Sequence, residues 1–196
     1  CGVLFRSGIA GFERLGDPEA AATALMNLGA VALYRDDGDR AASLLDTALD
    51  RFTALAFPEG LGWAHNLRGL AELRAGRTGR AVAHLTRSLA THRQVGDRWR
   101  TASVLEALAE AARIMGAGER GAALLGAAAT IRTELGTPVP ACELHDLAAT
   151  AAGLRAQLGE EAYAAAHRAG QTASLDSLVS AEEPPVPALP ATADPG

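Results

Sequence analysis

The chain repeats itself every forty residues. Leu15-Gly16-Asp17, Leu55-Ala56-Phe57, Val95-Gly96-Asp97 and Leu135-Gly136-Thr137 stand at one spacing, and Pro18, Pro58 and Pro138 directly follow three of them. Arg40-Ala41, Arg80-Ala81 and Arg120-Gly121 keep the same frame, as do Leu45, Leu85 and Leu125, and Gly29, Gly69 and Ala109. A fixed period of this size demands a stack of supersecondary units, each unable to bury its apolar face alone.

The unit is helical. Hydrophobic residues make up 48% of the chain, aromatic residues only 4%, and the apolar share is mostly Ala and Leu, which lose least on entering a helix. At 196 residues the chain can bury roughly 70% of its unfolded surface, enough for a core without staples. In the first full unit Asp17 and Pro18 read as an N-cap and a first helical residue. Leu25, Leu28, Val31, Ala32 and Leu33 then keep helical spacing, Asp36-Asp37-Gly38-Asp39 breaks it, and a second helix follows from about Arg40 to Leu55. The next unit predicts helices over 60–75 and 80–95, and the third over 99–115 and 119–135.

The expected organisation is the end of a truncated repeat at 1–17, repeats at 18–57, 58–97 and 98–137, a helical cap at 138–180 and a disordered Pro-rich tail at 181–196. The cap is read as helices over 143–158, 160–168 and 174–179. The opening residues lack an initiator Met and match the end of a second helix, so the chain reads as a fragment that starts in mid-repeat. Gly29 and Gly69 fall inside predicted helices, where each costs about 1 kcal/mol relative to Ala. Close approach of the two helices within a unit is the expected reason.

Several chemistries are excluded or weak. All 18 basic residues are Arg, so a P-loop, a Schiff-base lysine and a Ser-x-x-Lys nucleophile are ruled out within the chain. A formal net charge of −5 argues against direct nucleic-acid contact, and no apolar run is long enough for a membrane span. With only Cys1 and Cys142 there is no disulfide framework, and a cytoplasmic location is expected. Gly116-Ala117-Gly118-Glu119-Arg120-Gly121 satisfies a dinucleotide fingerprint in letters, but that motif needs a preceding strand and this one follows a predicted helix. Asp36-Asp37-Gly38-Asp39 lacks the ligand set of a calcium loop and reads as a turn. His84 and His92 lie eight apart without a carboxylate or Cys to complete a zinc set, and His65 aligns with Leu25 and Leu105 as a core or groove position. Trp99, between two arginines, reads as packing between units. No catalytic constellation, metal site or cofactor is expected.

The run from Leu67 through Arg77, followed by Gly79-Arg80-Ala81, resembles a tetratricopeptide repeat, with Leu-Gly in the first helix and Ala near the start of the second; Asn27-Leu28-Gly29 matches that motif more closely. The forty-residue period exceeds the 34 residues of that family and implies a longer link between units. Such long repeats, with Leu158-Gly159-Glu160-Glu161-Ala162-Tyr163, Gly170 and Ser174-Leu175-Asp176 closing them, resemble the C-terminal helical regions of actinobacterial transcriptional regulators of the LuxR and AfsR types, which carry a P-loop ATPase or a helix-turn-helix elsewhere. The resemblance implies an all-α solenoid of helical hairpins with a helical cap. It also implies a non-catalytic interaction or sensor scaffold, or else an accessory domain of an enzyme or signalling ATPase that binds a small ligand. Its first helices would line a partner groove holding Trp63, Asn66, Leu70 and Arg74 in the second unit and Glu106, Glu110 and Arg113 in the third. The implied partner is a protein, a peptide or another domain of the same polypeptide. Packing between units competes as the role of Trp63 and is the expected role of Leu70.

Overall fold

The computed structural model describes the backbone of residues 2–179 and the side chains of residues 8–178; Cys1 and the tail expected over 181–196 lie outside the described residues. Within them the chain is helical throughout: α1 (Gly2–Leu15), α2 (Pro18–Leu33), α3 (Gly38–Ala54), α4 (Pro58–Arg74), α5 (Thr78–Val95), α6 (Arg98–Ile114), α7 (Gly118–Leu135), α8 (Leu144–Leu158), α9 (Glu160–Thr172) and α10 (Leu175–Val179). The pairs α2–α3, α4–α5 and α6–α7 form antiparallel hairpins, and α2 touches α4 as α4 touches α6. This is a solenoid of helical hairpins, and α1 packs on its first helix.

Every connection along the stack is built on one backbone device. Gly16, Asp36, Ala56, Gly76, Gly96, Gly116 and Gly136 all take positive φ, between 49° and 78°. They stand twenty residues apart, so the forty-residue frame is two equal helix-plus-turn steps. After each, the next amide donates back to a carbonyl five residues earlier, as in Asp17 N–H to Phe12 O (3.0 Å), Asp37 to Ala32 (3.0 Å), Arg77 to Glu72 (2.9 Å) and Asp97 to His92 (2.8 Å). That pattern satisfies the last carbonyls of the helix and turns the chain sharply. Asp17 and Asp97 also cap the following helices, accepting from the amides of Ala20 and Arg100. Asp37 holds the corresponding place before α3 without a side-chain cap bond.

The hairpins close on their glycines. A Cβ built on Gly29 would lie 2.9 Å from Leu45 Cγ, and one on Gly69 would lie 2.7 Å from Leu85 Cγ. Two apolar clusters result. Met26, Leu33, Leu45 and Phe52 centre the first; Leu85, Leu105, Leu108, Leu124 and Leu154 centre the second, and Leu70 packs against both.

The C-terminal helices cover the open end of the stack. Helix α9 lies backbone to backbone on α7, since a Cβ on Gly170 would sit 1.9 Å from Ala123 O. It runs to Thr172, four residues past the expected end. Helix α8 rests on α6 and α7, with Leu154 over Gly121 and Leu158 over Gly118. The glycines of the dinucleotide-like letters thus serve a turn, at Gly116, and the seat of a helix.

Ala56 is exposed and carries a left-handed φ of 49°, a conformation that costs an L-residue about 1 kcal/mol and glycine almost nothing. Ala56→Gly should therefore raise stability by about 0.5–1 kcal/mol, a gain of about 1–4 °C in melting temperature. Gly96→Ala should lower it by a similar amount; calorimetry showing both changes neutral would refute the strain.

Candidate functional site

The inner sides of α4 and α6, the end of α2 and the start of α8 enclose a cavity of about 290 Å³. Six of the seven residues expected in the groove line it: Asn66, Leu70 and Arg74 from α4, and Glu106, Glu110 and Arg113 from α6. They converge because they recur at helical spacing along the face each helix turns toward its counterpart in the next hairpin. Trp63, one turn earlier on α4, lies outside the cavity lining. Its ring carries the Arg100 guanidinium 4.1 Å from the centroid, and Arg100 also approaches Trp99 at 5.8 Å. Both tryptophans thus pack at the junction of α4 and α6 and remain half-exposed.

The opposite wall leaves no trace in the repeat frame. The start of α8 and the residue before it cross the inner face, bringing Glu143, Asp146, Leu147 and Thr150 over the α4 and α6 residues. Three polar contacts hold it there. The Tyr34 hydroxyl donates to Glu143 at 3.1 Å, Arg74 donates to Asp146 at 2.9 Å, and the Thr150 hydroxyl donates to Glu110 at 2.9 Å. Arg74 is further fixed by the Leu33 carbonyl (2.7 Å) and Asp36 (3.2 Å), so it ties α4, the α2–α3 turn and α8 together. No repeat landmark extends past Pro140, and contacts between residues 40 to 109 positions apart leave no local signal.

The charges inside are largely neutralised in pairs. Arg113 binds Glu110 through two nitrogens at 2.7 Å, and Arg132 reaches Glu106 at 2.7 and 2.8 Å while donating to Ser103 at 3.0 Å. Glu143 has Tyr34 instead. Burial, with Glu106 and Asp146 alongside, holds its carboxyl above the usual range despite that hydrogen bond. Burial and Glu143 in turn push the Tyr34 phenol far up, so it stays a donor at any ordinary pH. Asn66 is 5% exposed, and its side-chain oxygen has no protein partner among the described residues.

The other titratable cluster lies between α4 and α5. His84 pairs with His65, Nδ1 to Nδ1 at 2.9 Å, rather than with His92, which is fully buried. Arg68 links Asp46 (2.7 Å) to the buried Glu72, which also accepts from Arg77. Burial works against ionisation of Glu72, but the two arginines outweigh it and hold its pKa low. Among the described residues no three His, Cys, Asp or Glu side chains are grouped to hold a metal ion. Nor is any described helix long and apolar enough to cross a membrane.

Residues 19–94, from α2 to the end of α5, match the tetratricopeptide repeat family model. The third hairpin and the cap lie beyond the matched segment. No curated protein and no solved structure matches the chain. Tetratricopeptide repeats mediate protein–protein contacts and are ordinarily non-catalytic, in keeping with the helical hairpins of the described residues.

Two measurements test this geometry. Burial, with His84 and Arg87 nearby, lowers the His65 pKa to about 4 against an ordinary 6.5. The unfolded chain then binds the extra proton first, so stability should fall as pH drops from about 6.5 towards 4. His65→Gln should blunt that loss, and an NMR titration placing His65 at its ordinary value would contradict it. Arg74→Met should loosen α8: hydrogen exchange over 143–150 should speed up by as much as about fivefold, the value of a partly exposed ion pair. Unchanged protection would show that α8 is held by its apolar contacts alone.

Proposed function

We propose that this chain is a non-catalytic interaction and sensor arm of a bacterial transcriptional regulator of the LuxR or AfsR type. In this reading, a partner protein, a peptide or another domain of the same polypeptide engages the inner side of the hairpin stack and biases output domains elsewhere. The observation that carries it is the mixed face of Asn66, Leu70, Arg74, Glu106, Glu110 and Arg113 on consecutive first helices of a tetratricopeptide-like stack. Amide, apolar and doubly signed character at helical spacing suits an extended polypeptide, while Trp63 and Arg100 offer the residue types that dominate interface energetics. The net charge of −5 and the LuxR- and AfsR-like sequence of the cap support placing DNA contact outside this segment. A second reading has its own support: because α8 crosses the inner face, the groove is a partly covered cavity of small-molecule size. A ligand-binding accessory domain of an enzyme or signalling ATPase fits that feature.

The test uses the full-length regulator. A Trp63→Ala/Arg74→Ala double variant, shown by circular dichroism to keep its helicity, should change transcription from a target promoter by about tenfold. That corresponds to losing one interface anchor of roughly 1–2 kcal/mol. Output equal to the wild type would reduce the stack to a spacer.

A further inference from the structure

We infer that the first half of α8 is a built-in occupant of the inner groove, and that the partner is an acidic amphipathic helix of another protein which takes its place. The inference rests on the interaction reading of the proposed function and supplies the chemistry of its partner. Tyr34, Arg74 and Ile114 are equivalent places forty residues apart, at the ends of α2, α4 and α6. Helix α8 meets these ends in order. Glu143 accepts from Tyr34 at 3.1 Å, Asp146 accepts from Arg74 at 2.9 Å, and Gln157 donates to the Arg113 carbonyl at 3.0 Å. Over those residues a helix rises about 21 Å, which matches two steps between packed neighbours at about 8–10 Å each. Helix α8 therefore lies across three first helices, as a helical segment bound in a groove would.

The two halves of α8 are held differently. Leu154 is fully buried over Gly121 and Leu158 seats over Gly118, so the second half is anchored in the core. Before Gly153 only Thr150 is buried, Leu144 is 52% exposed, and Glu143 makes no side-chain cap bond to the first turn. The ion pair that fixes this half is wet, with Arg74 and Asp146 34% and 60% exposed, and such pairs add little. Segments held this way open far more readily than core helices. The anchor keeps the opened half close, so a partner competes with a local concentration of about millimolar order.

The chemistry of the competitor follows from the segment it replaces. Glu143, Asp146, Leu147 and Thr150 fall on one helical stripe. The two carboxylates meet a hydroxyl and a guanidinium, Leu147 packs against the second apolar cluster, and Thr150 donates to Glu110. A competing helix needs the same order: two acids one turn apart, a leucine directly after the second, and a hydroxyl one turn on. A basic helix would set a cation against Arg74.

The probe is an acetylated, fluorescein-labelled peptide of residues 143–154, held helical by a hydrocarbon staple between positions 148 and 152, both exposed on α8. Preorganisation limits the ordering cost of so short a helix. In fluorescence polarisation with the whole chain, Asp146→Ala/Leu147→Ala should bind the peptide at least about tenfold tighter than the wild type does, since apparent affinity scales with the open fraction. Asp146→Lys in the peptide should weaken binding about tenfold, and so should Arg74→Met in the chain. On the wild type, saturating peptide should speed hydrogen exchange over 143–150, a readout independent of any variant folding. Equal affinity of the wild-type and opened chains, indifference to Asp146→Lys, unchanged exchange over 143–150 at saturation, or no binding to the opened chain at millimolar concentration would each overturn the proposal. Failure here with a regulator that still responds to Trp63→Ala/Arg74→Ala would remove this partner chemistry and leave the interaction reading standing.

Discussion

A left-handed residue every twenty positions sets the pitch of the whole stack. Each one ends a helix, satisfies its last carbonyls through an amide one residue on, and reverses the chain within three residues. Because the steps are equal, successive first helices present the same positions to one another, and side chains forty residues apart line one wall. The hairpin closes only if its crossing point is small, which is why Gly29 and Gly69 receive Leu45 and Leu85. In the third hairpin Ala109 and Leu125 hold those places within one cluster. Turn geometry and crossing point together fix where Asn66, Arg74, Glu106 and Glu110 point before any of them makes a contact.

Much of this was legible because repetition multiplies weak local signals. One Leu-Gly pair says little, but an aliphatic residue followed by Gly or Ala at four positions forty residues apart fixes helix, turn and hairpin, and the first helices then follow within a residue or two. The twenty-residue step was harder to see. Asp36 and Ala56 occupy left-handed positions that glycine holds elsewhere, and a residue type that tolerates a conformation does not announce it. The inner-wall residues were equally legible, since the face of a helix follows from spacing. Trp63 was grouped with them by the same spacing, yet Arg100 draws its ring into the junction between hairpins. The wall formed by Glu143, Asp146 and Thr150 had no such trace. Its placement depends on Leu154 and Leu158 seating over the glycines of α7, a tertiary fit that no periodicity encodes.

The repeat frame also exposes a change of chemistry along the stack. Residues 26 and 52 in the first hairpin are Met and Phe, both fully buried in one apolar cluster. The same two places hold Asn66 and His92 in the second hairpin, and Glu106 and Arg132 in the third. The last pair joins through two hydrogen bonds, with side chains only 11% and 7% exposed. Desolvating such an ion pair costs several kcal/mol per charge before their attraction repays it, so it is no better for stability than an apolar pair of similar volume. Neither ring nitrogen of His92 has a hydrogen bond from the protein among the described residues, the Asp97 carboxylate stands 4.0 Å from Nδ1, and burial lowers its pKa. A stack selected only to stand upright gains nothing from this progression, because Met26 and Phe52 show that the frame accepts an apolar pair. Polar residues enter at the hairpins where α8 closes over the inner face, and Asn66 and Glu106 belong to the cavity that it closes. His92 and Arg132, at the partner positions, lie outside its lining, and Arg132 meets Glu106 across the hairpin rather than in the cavity. The forty-residue frame thus supplies its own comparison: in the first hairpin the same two positions are apolar, fully buried and outside the lining of that cavity.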